Sequence, residues 1–166
     1  MNTSSLEHAL ETLVGNKIPW FVVAADEAVE AVLLKKFPII VIQNTRKRSH
    51  EGEHWICWFI LSHTCAEVMD SFGLAIRNYP EVLPPVKLVV KENCRQLQSD
   101  KSNYCGLWCL RFAYERSLGH SFEHFISLFS SNKLYNEWKL LHWTFKHLPM
   151  FKPDKKYKKN RENPKM

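Results

Sequence analysis

Apolar residues recur along the chain in two rhythms. Leu6, Ala9, Leu10 and Leu13 hold the three-and-four spacing of one helix face, and Ser4 followed by Glu7 matches a capping box. Residues 5–14 therefore read as an amphipathic helix stopped by Gly15. Phe21 to Ala24 is a short apolar run. Asp26 is placed to cap a second helix over 27–35, which must end before Pro38. PIIVIQ (38–43) is rich in β-branched residues and predicts a buried strand. HWICWFIL (54–61) is apolar on both alternating faces beyond His54, the mark of a central strand, and CAEVMDSF (65–72) predicts its return partner.

Two turn lengths fit this hairpin, and they differ in chemistry. A three-residue loop at 61–63 opposes His54 to Asp70 with both side chains on one face. A two-residue loop at 62–63 opposes His54 to Ser71 and turns Asp70 away. Downstream, Gly73 to Tyr79 predicts a short helix, PPVKLVV (84–90) a further strand and 95–103 a polar connector. CGLWCLRFAYERSLG (105–119) is apolar around most of a helical circumference and should be the buried central helix, ending at Gly119. Two more helical patterns cover 121–130 and 132–147, the second with Leu134, Trp138, Leu141 and Trp143 among polar neighbours. The fold class expected is α+β: a mixed sheet of about five strands packed on a buried helix, with further helices around it.

Length and composition narrow the picture. The 166 residues are one domain's worth, and a 45% apolar share with 13% aromatics can build a core. No G-x-G-x-x-G or G-x-x-x-x-G-K-[ST] is present, which removes the two common phosphate-binding loops. The start lacks a secretory pattern and no run is long enough to span a membrane, so the expectation is an unsecreted protein without membrane partners. The odd count of five cysteines points to free thiols in a reducing compartment. The net charge of +6 is concentrated at 152–166, where seven basic residues against two acidic give +5. The chain thus divides into a domain over 1–151 and a basic tail over 152–166. Lys155, Lys156, Lys158, Lys159 and Arg161 there, with Arg46, Lys47 and Arg48 in a polar loop, are the candidates for nucleic-acid contact through phosphate neutralisation; a solubilising tail and a solvated loop are the alternatives.

The sharpest chemical constellation is Cys105 at a helix start, where unpaired N–H groups favour an anion such as a thiolate. His54 supplies an imidazole and Asp70 an acid to orient it. Gly106 leaves the backbone beside Cys105 open to a substrate, and Trp55 is placed to line the groove or shield the imidazole. Either Gln96 or Gln98 is placed to donate an amide hydrogen to an oxyanion, together with the Cys105 N–H. His54, Cys57, His63 and Cys65 lack the spacing of a structural zinc knuckle, so no metal is expected.

In order, IVIQNT, GEHWICWFI, EVMDSFG and LQSDKSNYCGLWCLRFA resemble the catalytic segments of the adenovirus-type cysteine protease, adenain. The resemblance covers about half of the chain, residues 38–115. Gln98 stands seven residues before the Cys, as in that viral branch, whereas the related ubiquitin-like-protein proteases usually place the Gln one residue nearer. By resemblance His54 is the general base, Asp70 the orienting acid, Gln98 the oxyanion donor and Cys105 the nucleophile. Asp70 departs from the Glu of many adenains.

The function so implied is a cysteine endopeptidase that cuts capsid or core precursor proteins of a DNA virus or virus-derived element, working in the host nucleus and virion. The residues themselves require no cofactor. The resemblance brings DNA and a disulfide-linked activating peptide, for which Cys94 is the counterpart, although it stands too near Cys105 to match the spacing. The alternatives are a protease of ubiquitin-like modifiers and a non-catalytic DNA-binding or scaffold protein.

Overall fold

Two strands buried along their whole length set the architecture. A computed structural model describes residues 1–27, 36–50 and 53–152. The helix expected over 27–35 and the tail lysines 155, 156, 158 and 159 with Arg161 lie outside the described residues. The fold is α+β. Its sheet runs in the order β1 (Trp20–Val23), β2 (Ile39–Asn44), β3 (Trp55–Ile60), β4 (Cys65–Met69), β5 (Leu88–Glu92). The outer pairs, β1 with β2 and β4 with β5, are parallel, and the inner pairs are antiparallel. The helices are α1 (Thr3–Leu13), α2 (Cys105–Ser117), α3 (Phe122–Ser127) and α4 (Lys133–His147).

Strand alternation divides the core in two. Ile40, Ile42, Trp55, Cys57 and Phe59 face α1, α2 and their neighbours, whereas Ile39, Val41, Ile56, Trp58 and Ile60 face Ala25, Val82 and Val86 in loops. Both faces of β2 and β3 are thus covered, which explains their uninterrupted apolar runs. On α2, Leu107, Trp108, Cys109, Leu110, Phe112 and Ala113 are all buried, so this helix fills the interior. It closes at Leu118 and Gly119, the latter at φ +83°.

Several boundaries differ from the sequence expectation. Asn2 caps α1 in place of Ser4, its Oδ1 accepting from Ser5 N at 2.9 Å, which moves the helix start forward. β4 stops at Met69 because the Asp70 carboxylate takes the Phe72 N–H at 2.9 Å and turns the chain. β5 begins only at Leu88, since Pro84 and Pro85 bring no N–H to the ladder. A single 3-10 turn at Ile76–Asn78 stands where a short helix was expected. On α4 the inward face is Asn136, Glu137, Leu140, Trp143 and Thr144, while Leu134 and Trp138 are exposed.

The hairpin adopts neither expected register. Ile60 pairs with Ala66 and Cys57 with Met69, a ladder that extrapolates to His54 facing Phe72. Its loop runs one residue later because the Ser62 hydroxyl accepts from Thr64 N and Cys65 N, both at 3.3 Å, and organises the turn. Relative to the three-residue alternative the slip is two residues, so Asp70 keeps the face of His54 and becomes its diagonal neighbour.

One buried amide ties the sheet to the loops on its second face. Gln43, 1% exposed, accepts from Trp58 Nε1 at 2.9 Å and donates to the carbonyls of Ala25 and Leu83 at 3.2 and 3.1 Å. Gln43→Leu orphans the indole N–H and the Leu83 carbonyl, while the Ala25 carbonyl keeps the Leu83 N–H. It is expected to destabilise the fold by roughly 1–3 kcal/mol or more, read as a lowered denaturant midpoint. An unchanged midpoint would mean that these groups find other partners.

Candidate active site

The ends of two neighbouring strands bring a histidine and an acid together. His54 immediately precedes β3 and Asp70 immediately follows β4, so the antiparallel hairpin delivers both to one end of the sheet. His54 Nε2 lies 2.7 Å from Asp70 Oδ1, and the two residues are 5% and 2% exposed. The shorter Asp suffices because the pair is diagonal. Four donors hold its carboxylate: His54 and the Phe72 N–H on Oδ1, and the Leu74 N–H at 3.1 Å with the Tyr79 hydroxyl at 2.7 Å on Oδ2. Asn93 clamps the Asp70 backbone as well, accepting from its N–H at 2.8 Å and donating to its carbonyl. The rings of Phe72 and Tyr79 flank the imidazole at 4.8 and 5.9 Å. Tyr79 and Asn93 carry no spacing signal that would have singled them out in the sequence.

Cys105 is the first residue of α2, and the imidazole of His54 hydrogen-bonds its sulfur. With Nε2 on Asp70, that bond falls to Nδ1. Tyr104, at the cap position, makes no side-chain cap bond, and the Gly106 and Trp55 N–H groups donate to the sulfur. The anion-binding end of the helix is therefore turned toward the Cys105 sulfur and favours its charged form. Burial by itself pushes the thiol upward, but the imidazolium and these N–H groups win and hold Cys105 below its usual range. Burial likewise opposes the charged form of His54, yet Asp70 and the sulfur raise it to about 9. Each of the two thus favours the charged form of the other.

Gln98, 1% exposed, accepts from the Ser71 hydroxyl at 2.8 Å and donates one amide hydrogen to the Ser102 carbonyl at 2.8 Å. Gln96 is committed elsewhere: its amide nitrogen serves Asp100 and the Gln98 carbonyl, and its oxygen takes Lys133 Nζ. Of the two candidates, Gln98 thus sits against the loop that feeds Cys105. Sequence reading missed Glu137 of α4, whose Oε1 accepts from Ser99 N at 2.8 Å and from the Ser102 hydroxyl at 2.5 Å. The turn after Asp70 is joined to the same loop, since the Ser71 carbonyl accepts from Leu97 N and Gln98 N. Gly73, at φ +71°, packs so closely that a Cβ there would lie 2.7 Å from the Arg95 carbonyl carbon.

The remaining candidates divide. Trp55 lines an open cleft of about 650 Å³ together with Met1, Asn44, Arg46, Lys47 and Arg48. Gly106 does not open onto a substrate path as expected: it is buried, and a Cβ there would meet Met1 Sδ at 2.9 Å and Leu6 Cδ2 at 3.4 Å. The role of this glycine is close packing of Met1 and of Leu6 from α1 on α2. Arg46, Lys47 and Arg48 are exposed, but both arginines are ion-paired, Arg46 with Glu53 at 2.6 Å and Glu81 at 3.3 Å and Arg48 with Glu27. Cys109 is buried one turn beyond Cys105, and all five cysteines are free thiols. Among the described residues no helix is long and apolar enough to cross a membrane.

The coupling of His54 to Cys105 can be read directly from the thiolate absorbance in the ultraviolet. The wild-type midpoint is expected below the ordinary thiol value of 9.0. In His54→Ala the imidazolium is gone, burial dominates, and the midpoint should rise above that value. Equal midpoints in the two proteins would show that sulfur and imidazole do not interact. No protein-family model and no curated protein matches this chain, so geometry is what bears on its function.

Proposed function

We propose that the protein is a cysteine endopeptidase of the adenain-like type, acting on capsid or core precursor proteins of a DNA virus or virus-derived element. The observation that carries this reading is the continuous, buried chain from the Cys105 sulfur through His54 to Asp70, in which the imidazole lowers the thiol's titration. The thiolate adds to the scissile carbonyl carbon. The oxyanion so formed accepts from the Cys105 N–H, which has no intrahelical partner at this position, and from the second amide hydrogen of Gln98. The His54 imidazolium passes its proton to the leaving amine, which departs and leaves the acyl-enzyme. His54 then takes a proton from water, whose oxygen attacks the thioester, and the carboxylic acid leaves as the thiolate re-forms. Asp70 keeps the ring in the orientation that both transfers need.

The residues of this reaction require no cofactor. The sequence resemblance also supports action in the host nucleus and virion and a DNA partner for the basic tail.

Mass spectrometry of precursor proteins incubated with the enzyme is expected to find internal cleavage near small residues, absent in Cys105→Ala while its circular dichroism is retained. The kcat/KM profile should be bell-shaped. The alkaline limb falls as pH rises through about 9, where His54 loses the proton it must donate, and the acid limb falls where Cys105 takes up a proton. Reaction of Cys105 with a ubiquitin-type vinyl probe, without precursor cleavage, would replace the substrate class with ubiquitin-like modifiers. Intact precursors and no probe reaction would leave a binding protein.

For the tail, truncation after Phe151 is expected to weaken DNA binding and flatten its salt dependence. Unchanged binding would remove the tail from the DNA site.

A further inference from the structure

At the far end of α2 from Cys105, the way the helix closes gathers three groups that the catalytic chemistry does not use. The chain leaves α2 through a Schellman turn, with Gly119 N bonded to the Arg116 carbonyl at 3.0 Å and His120 N to the Glu115 carbonyl at 3.1 Å. That turn folds His120 back over the last helical turn, so its Nδ1 meets Glu115 Oε2 at 2.5 Å. Ser121 then caps α3, accepting from His124 N at 3.0 Å, and the first turn of α3 sets His124 beside the same carboxylate, Nε2 to Oε2 4.0 Å. The two imidazoles are 4.4 Å apart, and the three ligand atoms all lie within 4.8 Å of one another.

We infer that Glu115, His120 and His124 form a divalent transition-metal site, best suited to zinc, that clasps the end of α2 to the start of α3. The donor set of one carboxylate oxygen and two imidazole nitrogens is a familiar zinc set. Bonds of about 2.0–2.2 Å arranged tetrahedrally put ligand atoms about 3.3 Å apart, so the Glu115–His120 contact opens and the Glu115–His124 contact closes, each by less than about 1 Å, and the two imidazole nitrogens, now within 4.8 Å, draw together by up to about 1.5 Å. The metal takes the place of the proton between Glu115 and His120. Glu115 is 3% exposed and its other oxygen is held by Arg111 Nη2 at 2.5 Å, which fixes the carboxylate as a one-oxygen ligand. Both histidine side chains are nearly half exposed, at 44% and 45%, leaving the remaining coordination position to water and the ion free to enter. Ten residues of α2 separate Glu115 from Cys105, about 15 Å along the axis, so the site contributes to stability and stands independently of the peptidase reading.

Cobalt(II) is the probe, titrated into the full chain carrying Cys105→Ala so that the active-site thiol does not compete. One equivalent should bind with visible d–d bands and without a thiolate-to-cobalt charge-transfer band, and zinc should displace it. His120→Ala and His124→Ala, both at exposed side chains, should each weaken binding by roughly tenfold or more. Zinc should raise the unfolding midpoint of the parent protein, and this shift should vanish in the double variant. No bound cobalt, a charge-transfer band from a cysteine, or affinity unchanged in both single variants would each overturn the site.

Discussion

Everything at the active end of this molecule depends on one buried pair, the imidazole of His54 against the carboxylate of Asp70. An ionised acid withdrawn from water is costly unless its lone pairs are met, and here each oxygen has two donors. Because those donors come from the turn's own backbone and from Tyr79, the acid is fixed by the fold itself. A fixed acid fixes the ring, and a fixed ring presents its other nitrogen to the sulfur. The charge on His54 and the charge on Cys105 then sustain each other against the burial that opposes both.

The same helix that carries Cys105 fills the core. Its interior residues, from Trp108 to Ala113, bind it to the sheet, and its uncapped first turn is left to face an anion. Rigidity and reactivity are therefore two ends of one packing arrangement. Cys57 and Cys109 illustrate the contrast. Both are buried without a cationic partner, and burial drives their thiols upward, so of these three interior sulfurs only Cys105 is shifted downward.

Legibility in the sequence followed the range of the interactions. The strands at 39–44 and 55–60 and the helix at 105–117 were visible because burial on both faces or around a full circumference leaves a local pattern. His54, Asp70 and Cys105 were singled out as residue types at particular positions, and the structure brings these three together, whereas the residues alone left Gln96 and Gln98 open and only the resemblance chose between them. The hairpin register was not legible, because a serine hydroxyl inside the turn decided it. Nor were Glu137, Asn93 and Tyr79, whose partners lie 38, 23 and 9 residues away and leave no periodic trace. On α4 the pattern gave the helix but not its inner face, where two polar residues, Asn136 and Glu137, bind loops.

Gly73 carries a consequence for how the site can vary. Its α-carbon rests on the Arg95–Gln96 backbone, while the neighbouring Ser71 is stitched to Leu97 and Gln98. The acid's turn and the amide's loop are in effect one solid piece, geared together by a missing methyl group. Even an alanine at that point would act as a wedge, prising the loop from the turn while leaving His54, Asp70 and Cys105 chemically intact.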